Sequence, residues 1–154
     1  MASISTDQEF KKALDQLSSA QQRVAGALFV ERVLELCDDA RVRRAVDVAK
    51  NINAQEGELD GANREAKSAA VESYTACGRD TDWSAQAAHF VATAAAECSV
   101  PPSRSDLAHN AAWDAAMYVR MARTSENIAK AHTDHHDEAE AQYQLLTQFL
   151  AGAA

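Results

Sequence analysis

The stretch Trp83–Ser99 constrains the fold more than any other part of the sequence. It has a high helix propensity, its only charged residue is Glu97, and alanines lie on nearly every side of the helix that it would form. A helix with so little polar surface is stable only when other elements pack around it. The sequence therefore predicts a central, Ala-rich helix surrounded by neighbours.

Signals for turns and strands are scarce along the whole chain. Five glycines and two prolines occur in 154 residues, and runs of β-branched residues are few. This composition leaves little room for strands or hairpins. We expect an all-α fold, a compact single-domain bundle of six or seven helices.

The domain plan follows from length and periodicity. One domain is expected from a chain of this size, with residues 1–20 as an N-terminal helical extension and residues 21–151 as the core bundle. Thr6 and Glu9 have the spacing of a capping box, which predicts that the first helix begins there. Apolar spacing predicts a second helix that runs from about Val24 to Cys37.

Later helix boundaries rest on capping residues. Asp38 and Asp39 are predicted to cap a third helix, and a fourth is expected over about residues 61–77. The glutamates before Gly61 leave open an earlier start by one turn. The remaining predicted caps are Thr81 or Asp82 for the central helix, Ser103 or Ser105 for the sixth helix, and Ser125 for a last helix over about residues 126–150.

The charge balance narrows the class of partner. A formal net charge of −8 disfavours binding to nucleic acid and to anionic lipid, because both partners are polyanions. A basic protein partner suits this charge better. The sequence predicts neither a signal peptide nor a membrane span. The odd number of cysteines, Cys37, Cys77 and Cys98, favours reduced thiols, and we expect a cytoplasmic protein.

No catalytic residue and no cofactor are predicted. Phosphate loops, dinucleotide fingerprints and Gly-x-Ser-x-Gly elbows do not occur in the sequence. His89, inside the central helix, is interpreted as a packed histidine with a satisfied hydrogen bond. Cys98 follows nine residues later and does not share a helical face with His89, so the two do not form a nucleophile–base pair.

A histidine cluster supports an alternative function, metal binding. His132 and His136 stand one helical turn apart, and His135 and Asp134 lie between them. This spacing suits a divalent cation. A di-iron bundle needs a Glu-x-x-His motif on each of two helices, and the nearest match is the single pair Asp106 and His109, so we reject that type of site.

The same segment carries the acidic residues predicted to bind a partner. Asp134, Asp137, Glu138 and Glu140 gather on the last predicted helix. An acidic surface speeds encounter with a basic protein, although the same charge also serves solubility alone. By contrast, the basic residues Arg41, Arg43, Arg44 and Lys50 have acidic neighbours and no interleaved aromatics, which predicts a solvated face with local ion pairs.

Several segments together resemble the immunity-protein-five-like domains of bacteria. The similarity lies in the residue composition and the order of the segments over roughly residues 24–150. This chain departs from the family where Ala96-Glu97-Cys98 replaces an expected histidine. The segments are Val33-Leu34-Glu35-Leu36, Arg41-Val42-Arg43-Arg44-Ala45, Ala62–Ala76, the Ala-Ala-His-Phe-Val-Ala-Thr-Ala run of the central helix, and Glu140-Ala-Gln-Tyr-Gln-Leu-Leu.

The resemblance implies an all-α immunity protein of a toxin system and a non-enzymatic binding role. With the charge, it favours a helical protein-interaction module that inhibits a basic protein partner, such as a toxin. Two alternatives stay open. One is a metal-binding protein that uses His132, His135, His136 and Asp134, and the other is a structural homo-oligomer with an apolar helix face buried between identical chains.

Overall fold

Helices account for the regular structure in the described part of the chain. The computed structural model describes residues 3–77, 82–106, 108–130 and 137–152. Within these ranges there are seven α-helices and no β-strand, which confirms the predicted all-α bundle. The helices are α1 (Asp7–Asp15), α2 (Ser19–Glu31), α3 (Ala40–Lys50), α4 (Glu56–Cys77), α5 (Trp83–Cys98), α6 (Ala111–Lys130) and α7 (Glu138–Gly152), with short 3-10 helices at Leu34–Leu36 and Pro102–Arg104.

The central position of α5 is confirmed. This helix contacts α2, α3, α4 and α6, and Val91, Ala94 and Ala95 on it are fully buried. Because a methyl side chain lets neighbouring backbones approach closely, an Ala-rich helix can pack against several neighbouring helices at once. Asp82 caps it as expected, accepting a hydrogen bond from Ala85 N at 3.0 Å.

α1, expected as an extension, contributes to the same hydrophobic core. Its capping box of Thr6 and Glu9 is confirmed, and its residues Phe10 and Leu14 are fully buried. The Phe10 ring packs between α2 and α7, with centroid distances of 5.6 Å to Phe29 and 5.4 Å to Tyr143. Residues before the predicted core bundle therefore help to close it.

The predicted cap at Ser125 is wrong. α6 continues through this position to Lys130, and Ser125 Oγ donates to the carbonyl of Met121 one turn earlier. At a helix start a serine hydroxyl accepts from a backbone N–H, and inside a helix it donates to a carbonyl one turn earlier; because serine suits both positions, the residue type alone does not fix a boundary. The last helix begins at Glu138 instead.

Other boundaries also differ from expectation. α6 begins at Ala111, because Asn110 Oδ1 accepts from the backbone N–H groups of Ala112 and Trp113, and neither Ser103 nor Ser105 caps it. The second helix ends at Glu31 rather than near Cys37, and α4 begins at Glu56, the earlier of the two starts.

The described helices do not include a membrane-spanning candidate. None of them is both long enough and apolar enough to cross a membrane.

Candidate functional site at the end of the central helix

The four predicted metal-binding residues lie outside the described residues. His132, Asp134, His135 and His136 all fall in the range 131–136. Among the residues that the structure does describe, no group of three or more His, Cys, Asp and Glu side chains is arranged to hold a metal ion.

The three remaining acidic residues of the predicted partner face separate into two environments. Asp137 and Glu140 are exposed, and Asp137 Oδ1 accepts from Glu140 N in the first turn of α7. Glu138 does not lie on the outer face: it is buried, with Oε1 2.8 Å from Arg32 Nε and Oε2 3.4 Å from Arg123 Nε. Its carboxylate holds α7 to the rest of the bundle.

Arg123 sits at the centre of that buried ion-pair network. Its Nη1 lies 2.7 Å from Glu126 Oε1, and its Nη2 lies 3.3 Å from Glu35 Oε1. Burial disfavours the charge on Arg123, but the hydrogen bond with Glu126 and the charges of Glu138 and Glu35 raise its pKa overall. Because each buried charge here has a partner of opposite sign, the network is a structural element of the fold.

The structure brings together a different group of ionisable residues in a cleft beside the carboxyl end of α5. The cleft has a volume of about 500 Å³ and opens between that end, the connection to α6 and the first turns of α6. Pro101 and Pro102 end the helical path after α5, and the Asn110 cap sets the start of α6, so the connection crosses beside both helix ends. The lining residues are Glu97, Val100, Arg104, Ser105, Asp106, His109, Ala111, Asp114 and Tyr118, and we name this site the acidic cleft.

Negative charge in the acidic cleft is only partly compensated. Glu97 is half-buried and forms no ion pair among the described residues. Its pKa is raised by burial and by the nearby negative charge of Asp114, while Lys67 and His109 oppose that shift from a distance. A carboxylate held beside another carboxylate with little water around it favours an incoming cation.

His109 lies between two of the carboxylates. Its Nε2 is 3.7 Å from Asp106 Oδ2, and its Nδ1 is 3.9 Å from Asp114 Oδ2. These contacts are long, and the imidazole is largely exposed. His109 therefore forms no hydrogen bond with either carboxylate, and the Asp114 carboxylate stays available to an external cation.

Among the described residues, Arg104 is the only arginine or lysine that lines the acidic cleft, and it is bound to other side chains. Its Nη2 lies 2.6 Å from Asp60 Oδ1 and donates to Asn63 Oδ1 at 3.2 Å, so it is tied to α4. Asn63 is fully buried and donates in turn to the carbonyl of Ala96 at 2.8 Å. The positive charge of Arg104 is consequently paired with Asp60.

An apolar groove lies further along α5 and α6. It also has a volume of about 500 Å³, and its lining includes Trp83, Phe90, Met117, Met121 and Ile128. Met121 and Ile128 are exposed. The groove and the acidic cleft adjoin through Phe90 and Tyr118, whose rings stack with centroids 6.4 Å apart.

The interpretation of His89 as a packed, hydrogen-bonded residue agrees with its surroundings. Its Nδ1 lies 2.9 Å from the carbonyl oxygen of Ala70, and because a carbonyl only accepts, Nδ1 carries the proton. Ser73 Oγ is 3.2 Å from the same nitrogen, and the ring packs against Tyr74 and Phe90.

The basic residues of α3 form the local ion pairs that were predicted. Arg41 bonds to Asp39 and to Glu72, and Arg44 pairs with Glu65 at 3.2 Å. Carboxylates from α3's own N-terminal turn and from α4 therefore neutralise this face.

Sequence reasoning did not identify the acidic cleft. Glu97 is the single charged residue in the Ala-rich stretch, and that isolation was the available signal for a functional carboxylate. Asp106 and His109 were weighed only as half of a di-iron motif. Their proximity to Asp114 depends on how the connection crosses the end of α5, which no local pattern encodes.

Comparison of the chain with protein-family models, with curated proteins and with solved structures finds no match. The fold and the residues described above therefore define the class of protein, an all-α helical bundle with an acidic cleft beside its central helix.

Proposed function

We propose that this protein is a non-enzymatic interaction module that binds a basic protein partner in the cytoplasm. The observation that carries the proposal is the acidic cleft, where Glu97 and Asp114 lie near each other without a lysine or arginine partner among the described residues. A lysine or arginine side chain of a partner would supply the missing positive charge. Electrostatic complementarity of this kind increases the association rate and selects basic partners.

The apolar groove supports the same proposal. Protein interfaces combine aromatic and methionine side chains with a polar rim, and here Trp83, Phe90 and Met121 line a groove that meets the acidic cleft where Phe90 stacks on Tyr118. A partner that covers both would bury apolar surface and pair its cations with Glu97 and Asp114. The resemblance to immunity-protein-five-like domains makes inhibition of a toxin the specific form of this function that we propose.

Asp137 and Glu140 form a second exposed acidic site at the start of α7. In the proposed function they contribute to the long-range field that attracts a basic protein. Glu138 contributes to the fold instead, because its carboxylate is taken up by Arg32 and Arg123.

Proteins encoded beside the gene are the first partners to test. Each basic one is purified, and its affinity is measured by calorimetry at low and at high salt. We expect one of them to bind, with an affinity that falls as salt rises. If no neighbouring product binds, the immunity-type function is contradicted.

A pair of variants tests the cleft itself. Glu97→Gln with Asp114→Asn removes the two carboxylates and should weaken binding by about tenfold or more, mainly through the charge lost. The matched control, Asp38→Asn with Asp47→Asn, makes the same change in net charge at exposed positions of the α3 region. Equal weakening in both variants would show that only total charge matters, and would contradict a role for the cleft.

A further inference from the structure

A second cavity lies on the other side of the connection between α5 and α6. Its volume is about 290 Å³, and it shares Val100, Ser105, Asp106, His109 and Ala111 with the acidic cleft. The remaining lining residues are Ser19, Ala20, Gln22, Arg23, Cys98 and Pro102. We name it the Arg23 cavity.

Arg23 is a buried cation without an anionic partner. Only 8% of the residue is exposed, and no carboxylate of the described residues pairs with it. Burial lowers the pKa of the guanidinium, and no nearby aspartate or glutamate offsets that effect. The Cys98 thiol supplies no charge either, because burial raises its pKa to about 12.

The backbone satisfies part of Arg23 but leaves its formal charge in place. Nε donates to the carbonyl of Ala49 at 3.1 Å, and Nη2 donates to those of Asn51 and Ile52 at 2.8 and 3.0 Å. No acceptor among the described residues engages Nη1. The carbonyls anchor Nε and Nη2, which leaves Nη1 as the guanidinium nitrogen that no described residue engages.

One further feature of the lining favours an anion. The cavity includes Ser19, Ala20 and Gln22 from the first turns of α2, where the helix dipole presents partial positive charge. Asp106 also lines the cavity, but its Oδ1 accepts from Ala108 N at 2.9 Å, and it forms no ion pair with Arg23. Arg23 therefore remains the lysine or arginine among the described lining residues whose charge no carboxylate neutralises.

We propose that the Arg23 cavity binds a small organic monocarboxylate, with the carboxylate on the Arg23 guanidinium and a short apolar body against Ala20, Val100 and Pro102. The lining mixes one cation with apolar side chains, which suits a monocarboxylate better than an inorganic dianion. Its volume lies at the lower end of the usual range for small-molecule sites, about 300–1,000 Å³, which restricts the ligand to a few carbons.

Titration of the isotope-labelled full chain tests this assignment without any protein partner. The probes are sodium butyrate, neutral butyramide and inorganic phosphate, each at constant ionic strength, and the signals followed are the backbone amides of residues 19–23 and the Arg23 Nε–H. We expect saturable shifts with butyrate and none with butyramide. Shifts that grow linearly with butyrate, or equal shifts with butyramide, would overturn the site, and tighter binding of phosphate would overturn the carboxylate class.

Two variants complete the test. Arg23→Gln should abolish butyrate binding, but it also removes donors from three carbonyls at the end of α3 and risks unfolding. Ala20→Phe instead fills the cavity and leaves the hydrogen bonds of Arg23 intact, and it should weaken butyrate binding by about tenfold or more. Its control, Ala40→Phe, makes the same change at the exposed first residue of α3 and should bind as wild type does. Unchanged affinity in Ala20→Phe would refute the proposal.

Discussion

Arg123 and Glu138 are 15 residues apart in the chain and meet inside the bundle, with Nε 3.4 Å from Oε2. Both residues are less than one-tenth exposed. Glu138 also accepts from Arg32 Nε at 2.8 Å, so one carboxylate at the start of α7 joins α2 to α6. This contact therefore helps to fix where the last helix packs, together with Gln142 one turn later, whose Oε1 accepts from Arg120 Nε and whose Nε2 donates to the carbonyl of Ala116.

Replacement of Glu138 by Gln should destabilise the protein strongly. The amide keeps the volume but removes the negative charge, which leaves Arg123 buried with less compensation. Breaking a buried ion pair costs about 3–5 kcal/mol, and the lower end applies because Glu126 still pairs with Arg123. Urea unfolding measures the change. Glu140→Gln, at an exposed position two residues later, should shift the unfolding free energy by less than about 0.5 kcal/mol; similar losses in both variants would contradict the buried network.

Two helical glycines should respond differently to alanine. At Gly26 an added Cβ meets Cys98 Cβ at 3.1 Å and Ala115 Cβ at 3.4 Å, because α2 approaches α5 and α6 closely there. At Gly61 nothing lies within 4 Å. Gly61→Ala should therefore stabilise the protein by up to about 1 kcal/mol through helix propensity alone.

Gly26→Ala should lose that gain to crowding, and Gly26→Val should destabilise by about 1–3 kcal/mol. Thermal unfolding of the three variants side by side measures the difference. A Gly26→Ala protein as stabilised as Gly61→Ala would show that the three helices do not meet as closely as described.

The hydrogen bonds of Asp7 predict a component of acid unfolding. The Arg120 guanidinium and the Tyr143 hydroxyl donate to its carboxylate and lower its pKa in the folded protein. The unfolded chain thus binds the proton more tightly, so this contribution to stability is present above about pH 4 and is lost as pH falls through the lowered folded value. Asp7→Asn should be less stable than wild type at pH 7 and should approach it at about pH 2, whereas Asp38→Asn, at an exposed position, should change the unfolding free energy at pH 7 by less than about 0.5 kcal/mol.

The helices were predictable because their signals are local. Apolar periodicity and the caps at Thr6 and Asp82 report on a few consecutive residues, and each of these caps is present in the structure. Ser125 shows where local signals fail, since the helix simply continues past a residue that also suits a helix start.

The ion-pair network around Arg123, the acidic cleft and the Arg23 cavity depend on contacts between distant segments. From the sequence alone, Glu138 is expected to lie on the surface. Its burial depends on Arg32, which is 106 positions earlier in the chain. Arg23 likewise reads as an ordinary basic residue on a helix, and only the end of α3 supplies the carbonyls that hold it buried. Sequence patterns indicate which face of a helix is apolar, but they do not show which charges another helix will cover.

Glu97 should behave in the opposite sense to Asp7. Its pKa is raised by burial and by Asp114, so the folded protein binds this proton more tightly than the unfolded chain does, and stability falls as pH rises from about 4 through the raised folded value. Glu97→Gln, which cannot ionise, should therefore be more stable than wild type at pH 7 and equal to it below about pH 4. Unfolding curves over this range measure the difference, and a bound basic partner should reduce it, because the partner's cation compensates the carboxylate. A Glu97→Gln protein that is less stable than wild type at pH 7 would show that the carboxylate stabilises the bundle. That result would contradict the view that Glu97 lacks a cation until a partner binds.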